Sequence, residues 1–533
     1  MPKVKINDTE VEVPAGTNMI EAARLAGEDI PHYCYHPHLS VAGNCRMCTV
    51  ETETPRGPML EIACNMQARD GLAIRTDSDR VKQVRKSVQE FLLVNHPLDC
   101  PICDQSGECR LQDYYMEHGK YASRGNEEKV SKHKRQDIGE MLVLDAERCV
   151  QCSRCVRFGD EVTHTGELRL MNRTNHTEIG VFPGDHIEHH YQGCLADICP
   201  VGALTNKEFR FQRRVWYLKE TPSVCTGCAT GCNILVCHQE GEVFRYLPRR
   251  NDAVNKSWMC DDGRKLHGET AGLSRILRAQ VDGKAQDAEV ATAELARRIR
   301  AVGADKVGFV FGTRATNEAN WALLQTVRQN LPQARLFLAA GNDPGSFAYK
   351  DDLLVDADKN PNTAGAQILA SFAGRVGRAS DLIAAAASLS LLVVLEDDVL
   401  GRLGGALPGP AIAVFSARRS ATTDAATILI PVCHAVEMDG SYVNRQGRVQ
   451  RLRRAVNPLG DALPAWQALD RLGSALGKPP GTGMVAAAFN TMARAVPAFA
   501  GLEFKALGEG GAPAAPEPAG DGPTVVAPAE VRT

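Results

Sequence analysis

Four groups of side chains in the first half of the sequence could hold metal. Cys34, Cys45, Cys48 and Cys64 are separated by ten, two and fifteen residues. A two-residue gap puts two thiolates on one tight turn, and the more distant pair closes the site. Gly43 and the small residues around Cys45 let backbone N–H groups approach the sulfurs. The same spacing also satisfies tetrahedral zinc, so iron–sulfur and zinc both stand for this group. Cys100, Cys103 and Cys109 come next, one thiolate short of a full set, with His96 four residues upstream as the nearby fourth ligand. Imidazole in place of thiolate removes negative charge and raises the potential of such a centre.

The third group is the sharpest. Cys149, Cys152 and Cys155 form C-x2-C-x2-C, and position 159, where a fourth cysteine would stand, is Gly159. Cys199 precedes Pro200 in DICPVGALT, the end of a second ferredoxin motif whose other three positions are His189, Gln192 and Leu195. In two-cluster ferredoxins the fourth cysteine of each motif serves the other cluster, so these losses delete one centre and leave one [4Fe–4S] centre complete. Cys225, Cys228, Cys232 and Cys260, with gaps of two, three and twenty-seven, suit another [4Fe–4S] centre, with zinc as the rival. Cys194, Cys237 and Cys433 are left over and read as buried small apolar residues.

The chain that must position these groups has 533 residues, room for three or four domains. Its 61 basic and 64 acidic residues nearly balance, which speaks against nucleic-acid binding. Seventeen of 18 cysteines lie between Cys34 and Cys260. So long a chain with no apolar stretch in its opening MPKVKINDTEVEVPAG reads as soluble, made in a reducing compartment, its thiolates serving metal rather than disulfides. The longest apolar run, 382–395, is too short to span a bilayer.

Alternation at 3–6 and 10–13 around Asn7 and Asp8 predicts a hairpin, followed by a helix capped by Thr17 and closed by Gly27. Val81, Val84, Val88, Phe91 and Leu92 predict a helix leading into HPLDCPICDQSGEC, and 120–134 is a polar connector. Beyond about 270, helical patterns at 290–302 and 317–330 alternate with the runs VGFVFG, ARLFLAAG, LSLLVVL and AIAVF. That alternation predicts a parallel sheet covered on both faces. The tail from Gly508, rich in Gly, Pro and Ala, is expected to be disordered.

The order of the four groups resembles the large iron–sulfur subunit of NADH–quinone oxidoreductase, respiratory complex I, over nearly the whole chain. DAATILIPVCHAVEMDGSYVNRQGRVQR resembles the matching stretch of its molybdopterin-oxidoreductase-like half. The resemblance implies an α+β iron–sulfur N-terminal half of ferredoxin-like modules and an α/β molybdopterin-oxidoreductase-like parallel-sheet half. The implied division is 1–80, a [2Fe–2S] domain on Cys34, Cys45, Cys48 and Cys64; 81–120, a [4Fe–4S] module on His96, Cys100, Cys103 and Cys109; and 140–217, a ferredoxin-like domain on Cys149, Cys152, Cys155 and Cys199. The module 218–270 would hold an off-path [4Fe–4S] centre on Cys225, Cys228, Cys232 and Cys260, followed by a cofactor-free domain at 271–507 and the tail 508–533.

By the same resemblance the chain is an electron-transfer subunit without substrate chemistry of its own. It would take electrons that a flavin-carrying partner subunit removes from NADH and pass them towards quinone. Its partners would be the other peripheral-arm subunits, its place the cytoplasmic face of the bacterial inner membrane, with membrane contact only through partners and no nucleic acid. The chain departs from the family in being short and in lacking the further C-terminal domain often found there. DDGRKLHGE only partly matches the usual C-D-x-G-R-F continuation. Residues 261–432 hold no cysteine, so no molybdenum is expected, with only an oxygen ligand such as serine left open. The α subunit of an NAD-linked formate dehydrogenase shares the cluster order but needs a live molybdenum pocket, and an iron-only hydrogenase needs further cysteine motifs. A zinc-stabilised interaction protein is the non-enzymatic alternative.

Overall fold

The computed structural model describes residues 1–343, 346–405 and 407–515. The chain divides into two compact units, residues 1–219 with 256–264, and residues 220–255 with those from 265 onward.

The first unit opens with the predicted hairpin, β1 (Lys3–Ile6) and β2 (Thr9–Glu12), turned at Asn7, whose φ of 54° places it in the left-handed region. Helix α1 (Met19–Leu25) begins one residue later than a Thr17 cap predicts. Asn18 is the cap, its side chain accepting from the Ile20 N–H, while the Thr17 hydroxyl is spent on the Pro14 carbonyl. Strands β3 (Thr49–Thr52), β4 (Met59–Ile62) and β5 (Ala73–Arg75) complete a sheet ordered β2-β1-β5-β3-β4. Val4, Ile6, Ile20, Ala23, Val50 and Ile74 seal it against α1. Helix α2 (Asp79–Val94), capped by Ser78, matches the predicted pattern in place, with Val88 and Leu92 packed against an apolar cluster, and departs from it at Phe91. Val81 is buried with Arg85 and Gln89, whereas Phe91 is 80% exposed.

Helix α3 (Arg110–His118) follows the second cysteine group. The connector 120–134 carries no element but is strapped down, with Lys129 Nζ donating to the Leu93 and Val94 carbonyls and Lys120 pairing with Glu90. Beyond it, β6 (Gln136–Asp137), β7 (Leu142–Leu144) and β10 (Leu204–Asn206) form one small sheet, and β8 (Arg169–Met171) pairs with β9 (Glu178–Gly180). Helices α4 (Arg154–Glu161) and α5 (Gln192–Ile198) carry the flanks of the third cysteine group. The segment 256–264 returns to this unit. Met259 N–H meets Cys194 Sγ, Asp261 accepts from Gln192 and Gly193 N–H, and helix α6 (Asp261–Lys265) starts there.

The second unit begins with an antiparallel sheet, β11 (Lys219–Val224), β12 (Asn233–Gln239) and β13 (Glu242–Pro248). The large sheet follows the predicted alternation: hairpin β14 (Ala279–Val281) and β15 (Lys284–Gln286), helix α7 (Ala288–Val302), β16 (Val307–Val310), helix α8 (Asn317–Asn330), β17 (Arg335–Phe337), α9 (Thr363–Ala373), β18 (Val376–Gly377), α10 (Ala379–Ala385), β19 (Leu391–Leu395), α11 (Val399–Arg402), β20 (Ala411–Ser416), α12 (Ala421–Asp424) and β21 (Ile428–Pro431). Its order is β15-β14-β21-β20-β19-β16-β17-β18, with β14 antiparallel to β21 and every pairing from β21 to β18 parallel. This is doubly wound, reversing direction between β16 and β19.

Both faces are covered. Leu391, Val393 and Leu395 pack with α7, α8 and the later helices α13 (Ala465–Leu476) and α14 (Val485–Ala495), while Leu392 and Val394 pack with Leu382 of α10 and Leu400 of α11. The apolar run at 382–395 is thus split between a helix end and a strand, and among the described residues no helix is long and apolar enough to cross a membrane. Strands β22 (Gly440–Val443) and β23 (Arg448–Leu452) form a further sheet. The expected disorder from Gly508 is corrected for residues 508–515. Strand β24 (Ala512–Pro513) joins β23, and Gly510 and Gly511 carbonyls accept from Arg448, long-range bonds that composition does not encode. The rest of that tail lies outside the described residues.

Candidate metal centres

The first group closes through local turns. Cys34 lies in the loop after α1, Cys45 and Cys48 on a turn entering β3, and Cys64 in a 3-10 turn after β4. Gly43 and Arg46 both take positive φ, 64° and 60°, which bends the loop tightly around Cys45. Cys34 lies within hydrogen-bonding reach of Cys45 and Cys64, and Cys48 of Cys64. Donation from Cys45 and Cys64 pulls the Cys34 thiol down, and donation from Cys64 does the same to Cys48. Cys45 and Cys64, the donors, are pushed up by the same contacts and by burial. Asn18 Nδ2 holds the Cys64 carbonyl at 2.6 Å.

Around the third group, Cys149, Cys152, Cys155 and Cys199 line one cavity, walled also by Ser153, Arg154 and apolar residues such as Leu144, Ile179, Val201 and Leu204. Burial pushes Cys149 up to about 12 and Cys152 up to about 11, and raises Cys155 and Cys199 as well. Four thiols in so dry a space favour a cationic centre that takes them as thiolates. Gln151 and Ser153 alternate at φ 52° and 57° between the cysteines, and the Gln151 N–H points at Cys149 Sγ, 3.3 Å away. This is the concave backbone that cradles anionic sulfur.

The second group is more open. Cys100 is exposed, Cys103 buried and Cys109 half-buried, and burial raises Cys103 and lifts Cys109 to about 11. His96 stands beside Lys129, Arg148 and Asp99, its pKa lowered to about 4, mainly by burial. Arg148, paired with Asp99 at 2.9 Å, faces Cys103 too, so one guanidinium is common to the histidine and a cysteine of this set. Arg214 braces the loop through the Cys103 and Pro101 carbonyls, both at 2.6 Å.

The fourth group is divided between the units. Cys225, Cys228 and Cys232 lie in the second, in a loop closed by the Cys225 N–H on the Cys232 carbonyl at 2.8 Å, and burial pushes Cys225 up to about 12. Gly231 there takes φ 61°, and a Cβ would lie 2.7 Å from Gln450 Oε1. Cys260 lies in the first unit, buried, with the Gly263 N–H at 3.3 Å from its sulfur. Cys194, Cys237 and Cys433 are fully buried, as small apolar residues would be. No three His, Cys, Asp or Glu side chains among the described residues converge tightly enough to clasp a single metal ion.

Three of the groups share one apolar cluster in the first unit. Cys34, Tyr33, Met47, Leu111, Tyr114, Cys152, Val201 and Ala203 form it, with Cys45, Cys109, Cys149 and Cys199 packed against it. Sequence spacing did not single out the residues that join the groups. Gly202 is one: a Cβ there would stand 2.3 Å from Cys103 Sγ, so the loop after Cys199 abuts the second group. Its signal was the Gly two residues after Cys199-Pro200. Arg154 and Arg157 are others. Arg157 Nη2 donates to the Cys34 carbonyl at 2.5 Å and to that of Cys152 at 3.3 Å, tying the first group to the third. Their signal was charge placed in and beside a ligand loop facing apolar surroundings.

In the second unit a cavity opens beyond the carboxyl ends of β16, β19, β20 and β21, at the point where strand order reverses. Arg314, Glu396, Asp397, Arg418 and His434 line it. Arg402 Nη2 spans Asp343 at 2.8 Å and Asp397 at 2.5 Å, and Arg418 Nη2 takes the other Asp343 oxygen at 2.6 Å.

Comparison with known proteins follows the same order. Residues 2–79 match the 2Fe-2S iron-sulfur cluster binding domain, and 85–124 the NADH-ubiquinone oxidoreductase-G iron-sulfur binding region. Residues 139–205 match the ferredoxin-like domain of NADH-quinone oxidoreductase subunit 3, and 218–267 the NDSU1/NuoG-like 4Fe-4S domain. Molybdopterin oxidoreductase matches 407–475. The G-type subunit of NADH-quinone oxidoreductase from Rickettsia conorii is 38% identical over 62% of this chain and 49% of its own length. The mitochondrial NADH-ubiquinone oxidoreductase 78 kDa subunit of Candida albicans is 43% identical over 51% of this chain and 39% of its own. An NAD+-reducing [NiFe]-hydrogenase structure, 28% identical, covers 40% of this chain and 91% of its own at a TM-score of 0.36, too loose a likeness to carry an argument. The chain spans about half the length of the curated Rickettsia relative it matches. Over about three fifths of its length, then, the chain is similar to the G-type subunit of NADH-quinone oxidoreductase, with iron–sulfur domain matches ahead of a molybdopterin-oxidoreductase match.

Proposed function

We propose that this chain is an electron-transfer subunit of an NADH:quinone oxidoreductase, carrying electrons from a flavin-bearing, NADH-oxidising subunit towards quinone. The observation that carries it is the single apolar cluster into which three ligand sets project. Cys34, Cys45, Cys48 and Cys64 would hold a [2Fe–2S] cluster. His96 with Cys100, Cys103 and Cys109, then Cys149, Cys152, Cys155 and Cys199, and Cys225, Cys228, Cys232 and Cys260, would each hold a [4Fe–4S] cluster. When bound, such clusters supply one-electron carriage at potentials set by charge, burial and hydrogen bonds to sulfur.

The chain's own residues do the rest. The cysteines take the iron, the Gln151 N–H turns towards sulfur, and Tyr33, Met47, Leu111 and Val201 exclude water from the space between sets. No substrate-transforming group is assigned to the chain itself. The exposed Cys100 would face partner subunits of the peripheral arm, and the chain would sit on the cytoplasmic side of the bacterial inner membrane, touching it only through those partners.

Molybdenum does not suit the second unit. No thiol is among the residues that line the switch-point cavity, and Asp343 and Asp397 there are already taken by Arg402 and Arg418. That favours a scaffold over the formate-dehydrogenase alternative. Anaerobically purified chain should carry about 14 irons with matching sulfide and no molybdenum. Zinc in their place would overturn the proposal.

A further inference from the structure

Among the described residues five arginines are deeply buried: Arg85, Arg148, Arg154, Arg264 and Arg275. Three have carboxylate partners, Arg148 with Asp99 at 2.9 Å, Arg264 with Asp197 at 2.5 Å and Arg275 with Glu437 at 2.7 Å. Arg85 and Arg154 have none among the described residues. Burying a charge without a partner is costly, and a native fold keeps such a charge only where something offsets it.

Cysteines stand near both, Cys48 near Arg85 with Glu117 and Asp77 also facing it, and Cys152, Cys199 and Cys34 near Arg154. Arg85 Nη2 donates to the carbonyl of Thr49, the residue after Cys48, at 3.2 Å. Arg154 lies in the third ligand loop itself, between Cys152 and Cys155, and is 6% exposed. Its Nη1 donates to the carbonyl of Ile198, the residue before Cys199, at 3.1 Å, and its Nη2 to the carbonyl of Tyr35, the residue after Cys34. Its Nε has no partner. The opposite charges nearest it would be the thiolates of Cys152, Cys199 and Cys34, and the other guanidinium facing it, Arg110, only adds to the positive field.

We propose that Arg154 is the shared counter-charge of the first and third ligand sets, a positioning residue that holds both sets in register and raises both reduction potentials. Each one-electron reduction adds negative charge beside a guanidinium that has no other anion to face, so reduction is favoured at both sites at once. Arg85, which touches only the first set, acts on that set alone. Resting on the iron–sulfur ligand sets proposed above, this inference adds that the two sites are electrostatically linked through one side chain.

The test uses the full chain, purified without oxygen and titrated with dithionite and mediators while paramagnetic resonance reads each centre. Wild-type chain lacking iron–sulfur signals would refute the ligand sets themselves, independently of Arg154. With those signals present, Arg154→Met at unchanged iron content should lower the ratio of reduced to oxidised centre at a fixed potential by about tenfold, some 59 mV for a one-electron couple, at both the first and the third set. Arg85→Met should shift the first set only, and Arg154→Lys should leave both within about threefold of wild type. A loaded Arg154→Met chain with wild-type midpoints, or with only one set shifted, overturns the proposal. If Arg154→Met loses iron, Arg154→Lys decides: wild-type midpoints support a charge role, and a tenfold fall refutes it.

Discussion

In the first unit, apolar side chains such as Tyr33, Leu111 and Val201 are interleaved with cysteines from three ligand sets, and two of its buried guanidinium groups meet only carbonyls. In the second, the large sheet is sealed on both faces by aliphatic and aromatic residues, and buried arginines there are answered by carboxylates, Arg275 by Glu437 and Arg402 by Asp343 and Asp397. A unit completed by a charged inorganic group keeps cations and thiols in reserve for it. In the second unit such thiols are confined to the loop of Cys225, Cys228 and Cys232, outside the large sheet. The crevice at the strand-order reversal, where doubly wound sheets bind their ligands, is crossed here by ion pairs.

The contrast is broken most directly at the cysteines. Cys199→Ala should remove one whole centre, about four irons per chain with its resonance signal, because three thiolates do not complete the set. Cys433→Ala, fully buried but outside every set, should cost stability and no iron. Equal iron loss in both variants would mean that the cysteines matter only as packing. Next in size, Arg275→Ala leaves Glu437 buried and unpaired at 1% exposure, and should lower the stability of the second unit by about 3–5 kcal/mol in thermal or denaturant unfolding. Iron at the first and third sets should stay. A cost below about 1 kcal/mol would show that water reaches the site and that the second unit is not closed.

Much of this division was legible in the residues. The C-x2-C-x2-C run with Cys199-Pro200 singles out four cysteines as one proposed ligand set, and the structure lines one cavity with them. Helix α8 spans the residues that periodicity marked, and the apolar runs after 270 became strands, because local pattern and burial agree there. What local pattern could not carry was long-range. Phe91 looked like a core residue of α2, yet Arg85 and Gln89 were buried instead, drawn in by the Thr49 carbonyl and the Tyr33 hydroxyl. The strand at Ala512–Pro513 exists only because β23 offers an edge. Gly202 owes its identity to a sulfur about a hundred residues away in the chain.

The next effect depends on pH. Glu318 at the start of α8 is fully buried and accepts from the Ser441 N–H at 2.9 Å and the Ser441 hydroxyl at 2.7 Å. Burial outweighs these bonds and pushes its pKa from 4.5 up to about 7. Between those values the folded chain keeps a proton that the unfolded chain releases. Stability therefore falls as pH rises from about 4.5 to about 7 and levels above, by roughly 3 kcal/mol at about 1.4 kcal/mol per pKa unit. Glu318→Gln should flatten that part of the profile in denaturant unfolding. An unchanged slope would place the titration elsewhere.

The smallest effects compare one helix start in each unit. The Asn18 side chain accepts from the Ile20 N–H at 3.0 Å, and Thr316 Oγ1 from the Ala319 N–H at 3.2 Å. Loss of either cap should cost about 1 kcal/mol, a fall of roughly 2–4 °C in the midpoint of a unit of this size. If the units unfold separately, Asn18→Ala lowers the transition that loses iron signals from the first and third sets, and Thr316→Ala the other. If both lower one common transition, the chain unfolds as a single cooperative body. Asn18 has a second duty, because its Nδ2 also donates to the Cys64 carbonyl. Asn18→Asp keeps the acceptor for the cap but sets a carboxylate oxygen against that carbonyl. It should therefore disturb the resonance of the first set while leaving α1 formed, and Asn18→Ala should disturb both. Equal behaviour of the two variants would mean that the tie to Cys64 contributes nothing and that Asn18 acts only as a cap.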